Sequence, residues 1–112
     1  MWRAFSFKGY CNAEIIRSVE KRNVQKVEAY IVVSDRNLVR IFKNAASMNL
    51  KLGEDVGLVS FNDTMLKEVV AGGITTISTD FVQMGKTLAD MVLNHNKIKV
   101  RNPSSLIVRK SL

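Results

Sequence analysis

Two consecutive pieces, Gly53-Glu-Asp-Val-Gly-Leu-Val-Ser-Phe-Asn-Asp-Thr64 and Gly73-Ile-Thr-Thr-Ile-Ser-Thr-Asp80, decide how this 112-residue chain folds. Each runs an apolar stretch into a polar turn. Short continuous runs rich in Val, Ile and Thr read as strands buried on both faces. The Asn, Asp and Thr behind them are side chains that accept from the free N–H groups of a helix start. The pattern is strand, polar turn, helix, and then the same again.

Working outward, the same unit recurs. Ala29-Tyr-Ile-Val-Val33 is another buried strand, and Ser34-Asp35 opens the next helix. Leu38, Ile41, Phe42 and Ala45 recur at i, i+3, i+4 and i+7, so this helix lays one side on a sheet. It should end near Met48, with Asn49 in the left-handed position that closes many helices. A short helix after Thr64 should stop before Gly72 and Gly73. Thr79 or Asp80 then caps a longer one through Phe81, Met84, Leu88 and Val92 to about His95. Two extended pieces, 97–100 and 105–109, flank the single proline, Pro103. Upstream, alternation predicts a strand over 2–7, and Asn12 is placed to cap a helix over 13–22 with Ile15, Ile16 and Val19 on one face. Strands alternating with helices imply an α/β fold: a mainly parallel sheet with helices on both faces, built from right-handed crossovers. One domain accounts for residues 1–112.

Composition excludes several classes. The chain is 46% hydrophobic and 24% charged, ordinary for a globular protein. No apolar run reaches the length of a membrane span, and the start lacks the apolar core of a secretory signal. The lone Cys11 cannot form an internal disulfide, which fits a reducing compartment. Lys and Arg exceed Asp and Glu by 17 to 10, giving +7. These charges are scattered and interrupted by acids, so they read as a solvated surface rather than a nucleic-acid footprint.

No catalytic arrangement stands out. His95 lies between Asn94 and Asn96 at a helix end, where capping or solvent is its natural role. There is no metal-ligand spacing and no phosphate-cradling glycine loop, so neither metal nor cofactor is expected. What remains is a row of polar turns at the carboxyl ends of strands, where ligands meet sheets of this kind. Asn62 offers a planar amide suited to paired hydroxyls or a base edge. An aromatic such as Phe7 is suited to cover the apolar face of a sugar. From the residues alone the plainer reading stands ahead of this one: Asn62 and Asp63 cap the next helix, and Phe7 belongs to the core.

The ordered motifs Ser34-Asp35, Gly53-Glu-Asp-Val56, Val59-Ser-Phe-Asn-Asp-Thr64, Ile74-Thr-Thr-Ile-Ser-Thr-Asp-Phe81, Met84-Gly85 and Leu106-Ile-Val-Arg-Lys-Ser-Leu112 resemble the carboxyl-terminal part of the lactose/galactose-repressor (LacI/GalR) family of transcriptional regulators. The resemblance runs from about Trp2 to the end. It implies one lobe of a two-lobed, periplasmic-binding-protein-like type I fold, with a small-molecule effector, a sugar or related metabolite, held between the lobes. It also implies a homodimer, a cytoplasmic location and operator DNA bound through a helix-turn-helix head lying elsewhere, with no enzyme activity. Under the resemblance, effector contacts fall on Ser34, Asp35, Asn62, Thr79 and Phe7, and the dimer seam on Val39 and Met65. The helix over 80–95 would belong to the other lobe. Asn62 stands where the family has a carboxylate, Ser60 where it has Gly and Gly53 where it has Pro. A sugar-binding transport protein of the same fold is the alternative.

Overall fold

The computed structural model describes residues 12–16 and 24–112. Among these residues five strands form one sheet in the order β1-β2-β3-β4-β5: Asn12–Ile16, Glu28–Val32, Gly57–Phe61, Thr75–Thr79 and Ser104–Ile107. The first four run parallel and β5 is antiparallel to β4. Among the described residues three α-helices lie between them: α1 (Asp35–Ser47), α2 (Met65–Val69) and α3 (Phe81–Leu93). The mainly parallel α/β sheet is the one the alternation implied.

Strand order matches chain order, so the crossovers step in one direction. Right-handed crossovers taken in one direction put their helices on one face. Accordingly α1 and α2 lie side by side and share the walls of one groove. Beneath them Tyr30, Val32, Leu58 and Ile74 of the sheet region pack with Ile41 and Ala45 of α1. Burying a side chain of this size contributes about 1.5–3 kcal/mol, and this cluster is the main source of cohesion.

One element differs from expectation. Asn12–Ile16 does not begin a helix; it is β1, paired residue for residue with Glu28–Val32. Adjacent β-branched Ile15 and Ile16 favour extended backbone, and the pairing covers what would be an open edge of β2. The rest of that helix, the strand over 2–7 and Cys11 fall outside the described residues.

Helix boundaries follow their side chains. Ser34 Oγ accepts from Asn37 N–H at 3.3 Å and starts α1, and Asn49 takes φ +55° just past its end. Asp80, not Thr79, caps α3, accepting from Gln83 N–H at 2.8 Å. Thr64 alone caps α2, accepting from Lys67 N–H at 3.3 Å.

The segment 80–103 leaves the sheet and returns through a narrow neck. There Asp80 N–H donates to the Pro103 carbonyl at 3.0 Å, and the Asn102 amide donates to the Asp80 carbonyl at 3.0 Å. No residue of α3 is buried, and Val92 and Leu93 are over 70% exposed. Its neighbour is the returning segment, which is not a regular strand before Ser104: Met84, Leu88 and Met91 face Ile98 and Val100 across a cavity of about 290 Å³.

Candidate ligand-binding edge

Ser34, Asn62 and Thr79 stand at the carboxyl ends of β2, β3 and β4, three adjacent strands. Neighbouring strands lie about 4.8 Å apart, so these residues form a row roughly 10 Å long, the width of a small ring compound. Ser34 spends its oxygen on the α1 cap. Thr79 is half-buried and pairs with Ser104.

Asn62 adopts φ +57°, its N–H donating to the Ile77 carbonyl at 2.8 Å. The residue is exposed, and its side-chain amide has no partner among the described residues. It is not the helix cap, a part that falls to Thr64. Phe61 and Phe81 are 40% and 50% exposed at the same end of the sheet. Sequence reading assigned them to a strand core and a helix face and missed them as edge aromatics. The available signal was their position, directly before Asn62 and directly after Thr79-Asp80. Phe7 lies outside the described residues.

Asp35, expected among the effector contacts, stands in an ion pair. Its carboxylate meets the Lys67 ammonium at 2.8 Å, while the lysine side chain is only 5% exposed. The same ammonium donates to the carbonyls of Phe61 and Asn62, both at 2.9 Å. Its three protons thus have three acceptors, which is what makes a buried ammonium tolerable.

Asp63 is also committed. Arg109 grips it with two parallel bonds, at 2.7 and 2.8 Å, and Thr76 donates to the same carboxylate at 3.1 Å. The guanidinium bonds, with the Thr76 hydroxyl adding to them, hold the Asp63 carboxyl below the usual Asp range against the opposing effect of burial; the carboxylate in turn keeps Arg109 more firmly protonated. Beside this pair the chain end enters the sheet. Ser111 Oγ accepts from Thr75 N–H at 2.8 Å and donates to the Leu58 carbonyl at 2.6 Å, while Leu58 N–H donates to the Ser111 carbonyl at 2.7 Å. The ladder between β3 and β4 begins only at Val59 and Thr75, so Ser111 fills the gap where the strands diverge. Gly53 lets this tail pass: at φ +84°, an added Cβ would sit 1.8 Å from the Lys110 carbonyl oxygen.

Of the two residues expected at a dimer seam, Val39 lines an apolar groove of about 290 Å³ with Leu38, Phe42, Leu66, Val70 and Ile74. Met65 stands outside that lining at 86% exposure. Among the described residues there is no cluster of potential metal ligands, and no helix is long and apolar enough to cross a membrane.

A sheet of this topology, with polar turns at its carboxyl edge and a segment that leaves and returns through a neck, has a match. Residues 6–112 align with the periplasmic binding protein-like domain family. The chain belongs to that family. Within it, the chain is 26% identical over 103 residues to the HTH-type transcriptional regulator KdgR of Bacillus subtilis (strain 168), covering 87% of this chain and 30% of the relative. It is also 26% identical over 93 residues to the HTH-type transcriptional regulator GalR of Streptococcus thermophilus, covering 83% and 28%. The lac repressor dimer bound to operator and the anti-inducer ONPF superposes with a TM-score of 0.61 at 26% identity, over 74% of this chain and 31% of that one. This periplasmic-binding-protein-like chain is thus a LacI/GalR-type fragment of an effector-binding domain, spanning under a third of these relatives' lengths, and the relatives are regulators rather than enzymes.

Proposed function

We propose that this chain is the carboxyl-terminal lobe of a ligand-sensing domain that responds to a sugar or related small metabolite. In the whole protein that lobe controls operator binding by a separate helix-turn-helix head, and the working unit is a cytoplasmic homodimer. The observation that carries the reading is the row Ser34, Asn62, Thr79, in which the amide of Asn62 is exposed and unspent among the described residues. An Asn amide both donates and accepts, which suits adjacent hydroxyls. The half-exposed rings of Phe61 and Phe81 supply apolar cover of the kind Phe7 was expected to give. Asp35 contributes by anchoring Lys67 rather than by meeting the ligand.

Self-association is proposed through the α1–α2 groove, with Val39 in its wall and Met65 beside it. The segment 80–103, with exposed Phe81, Val82, Leu88 and Val92, is proposed to pack on the other lobe.

Calorimetric titration of the full-length parent against a panel of aldohexoses and aldonic acids tests the sensing role. Asn62→Gly keeps the left-handed backbone and removes only the amide, so it should weaken the active ligand by about 1–3 kcal/mol. An unchanged titration would remove Asn62 from the site.

A further inference from the structure

Asn62 holds a backbone conformation that side chains other than Gly rarely adopt, although Asn tolerates it better than most. Nothing in its own side chain fixes that conformation. The group in contact with its carbonyl is the Lys67 ammonium, which simultaneously takes the Phe61 carbonyl and Asp35. Lys67 itself sits on α2, and with Asp35 it also lines the groove against α1. We propose that Lys67 is the positioning residue of the ligand-binding edge: its buried ammonium gathers two consecutive carbonyls and thereby holds the left-handed turn that presents the Asn62 amide.

Two further contacts depend on that turn. Asn62 N–H reaches the Ile77 carbonyl at 2.8 Å, and Asp63 N–H reaches Ser78 Oγ at 3.0 Å. Both tie β3's outgoing turn to β4. Without the ammonium, the carbonyls of Phe61 and Asn62 would separate towards water and both bonds would open. Asp35 has a supporting part: at 74% exposure it anchors the ammonium from the first turn of α1, so the turn is held from two helices. The functional weight of this inference rests on the ligand-binding reading above, but its test uses no ligand.

Amide hydrogen exchange on the whole chain decides it. Lys67→Met keeps the apolar stem and removes the ammonium, and it should cut protection at Asn62 and Asp63 by about tenfold or more, as expected for losing a charged hydrogen bond locally. Leu58 and Thr75, buried in the sheet, should stay as protected as before. Adding Asn62→Gly, which adopts positive φ freely, should restore most of the lost protection at Asp63. A side chain needed only for packing would give no such rescue. Unchanged protection at 62 and 63 in Lys67→Met, or no recovery in the double variant, would overturn the proposal. If Lys67→Met lowers protection everywhere, Lys67→Gln, which stays polar but is neutral and one atom shorter and so cannot hold both carbonyls and Asp35 together, settles it: loss confined to 62 and 63 supports the proposal, and uniform loss overturns it. A failed ligand titration with this exchange pattern intact would count against the sensing reading alone.

Discussion

The tail at 109–112 and the helix α3 each follow a sheet strand, and they end in opposite conditions. The tail is drawn into the sheet: Ser111 is fully buried between β3 and β4, and Arg109 closes on Asp63. The helix keeps its apolar residues wet, with no buried position along its length. Each large apolar side chain left exposed forgoes about 1.5–3 kcal/mol. The difference lies in the polar partners. The tail carries a hydroxyl and a guanidinium that satisfy groups the sheet leaves open, whereas the exposed Phe81, Val82, Leu88 and Val92 of α3 have no hydrogen-bonding group to give it. Periodicity says that a helix has a face to bury; it does not say against what.

The sharpest way to break this comparison is Ser111→Ala. It strands the buried Thr75 N–H and Leu58 carbonyl, and the expected loss is about 2–4 kcal/mol in urea unfolding. A loss under about 1 kcal/mol would mean that the sheet does not depend on the tail.

Next comes Asp63→Asn, which replaces a two-bond charged fork with a neutral amide and should lower stability by about 1–3 kcal/mol at neutral pH. The pH dependence follows from the sign of the shift. Asp63 is held below its unfolded value by Arg109, so the pair's contribution is fully present above the unfolded carboxylate range. That contribution disappears as pH falls through the folded value. Below about pH 4 the wild-type chain should therefore lose stability more steeply than Asp63→Asn. Parallel acid limbs would show that the fork is worth little in solution.

The mildest test concerns the arm. An added Cβ at Gly85 meets nothing within 4 Å. Gly85→Ala should raise helix stability by up to about 1 kcal/mol, seen as slower exchange over 81–93 with the urea midpoint unmoved. A shifted midpoint would show that arm and sheet unfold together.

Much of this was legible in the residues. β-branched runs gave β2, β3 and β4, and the period-3.6 face of Leu38, Ile41 and Ala45 gave α1, because burial and local geometry agree there. Asn12–Ile16 misled because Asn before an apolar-periodic stretch signals a cap, and only pairing with β2 makes it a strand. Ser34, Asn62 and Thr79 were legible as an edge because polar residues behind parallel strands fall in a row. Lys67 and Arg109 were not, since both act on partners fixed only by tertiary folding. An isolated lysine in α2 reads as a solvated charge, yet its ammonium is enclosed. Ser60, standing where the resemblance leads one to expect Gly, places its hydroxyl in the interior without a hydrogen-bond partner among the described residues.

The position of Ser111 also bears on how fast the protein reaches its native state. Its bond to Leu58 spans 53 positions, and the Arg109–Asp63 contact spans 46. Closing such long intervals costs chain entropy before any contact compensates it, and folds rich in distant pairings form slowly. While the tail is absent, β3 and β4 expose unpaired backbone groups along their divergent ends, which are ready templates for the wrong strand. Refolding should thus be rate-limited by arrival of the tail, and the species that precedes it is the one most exposed to aggregation.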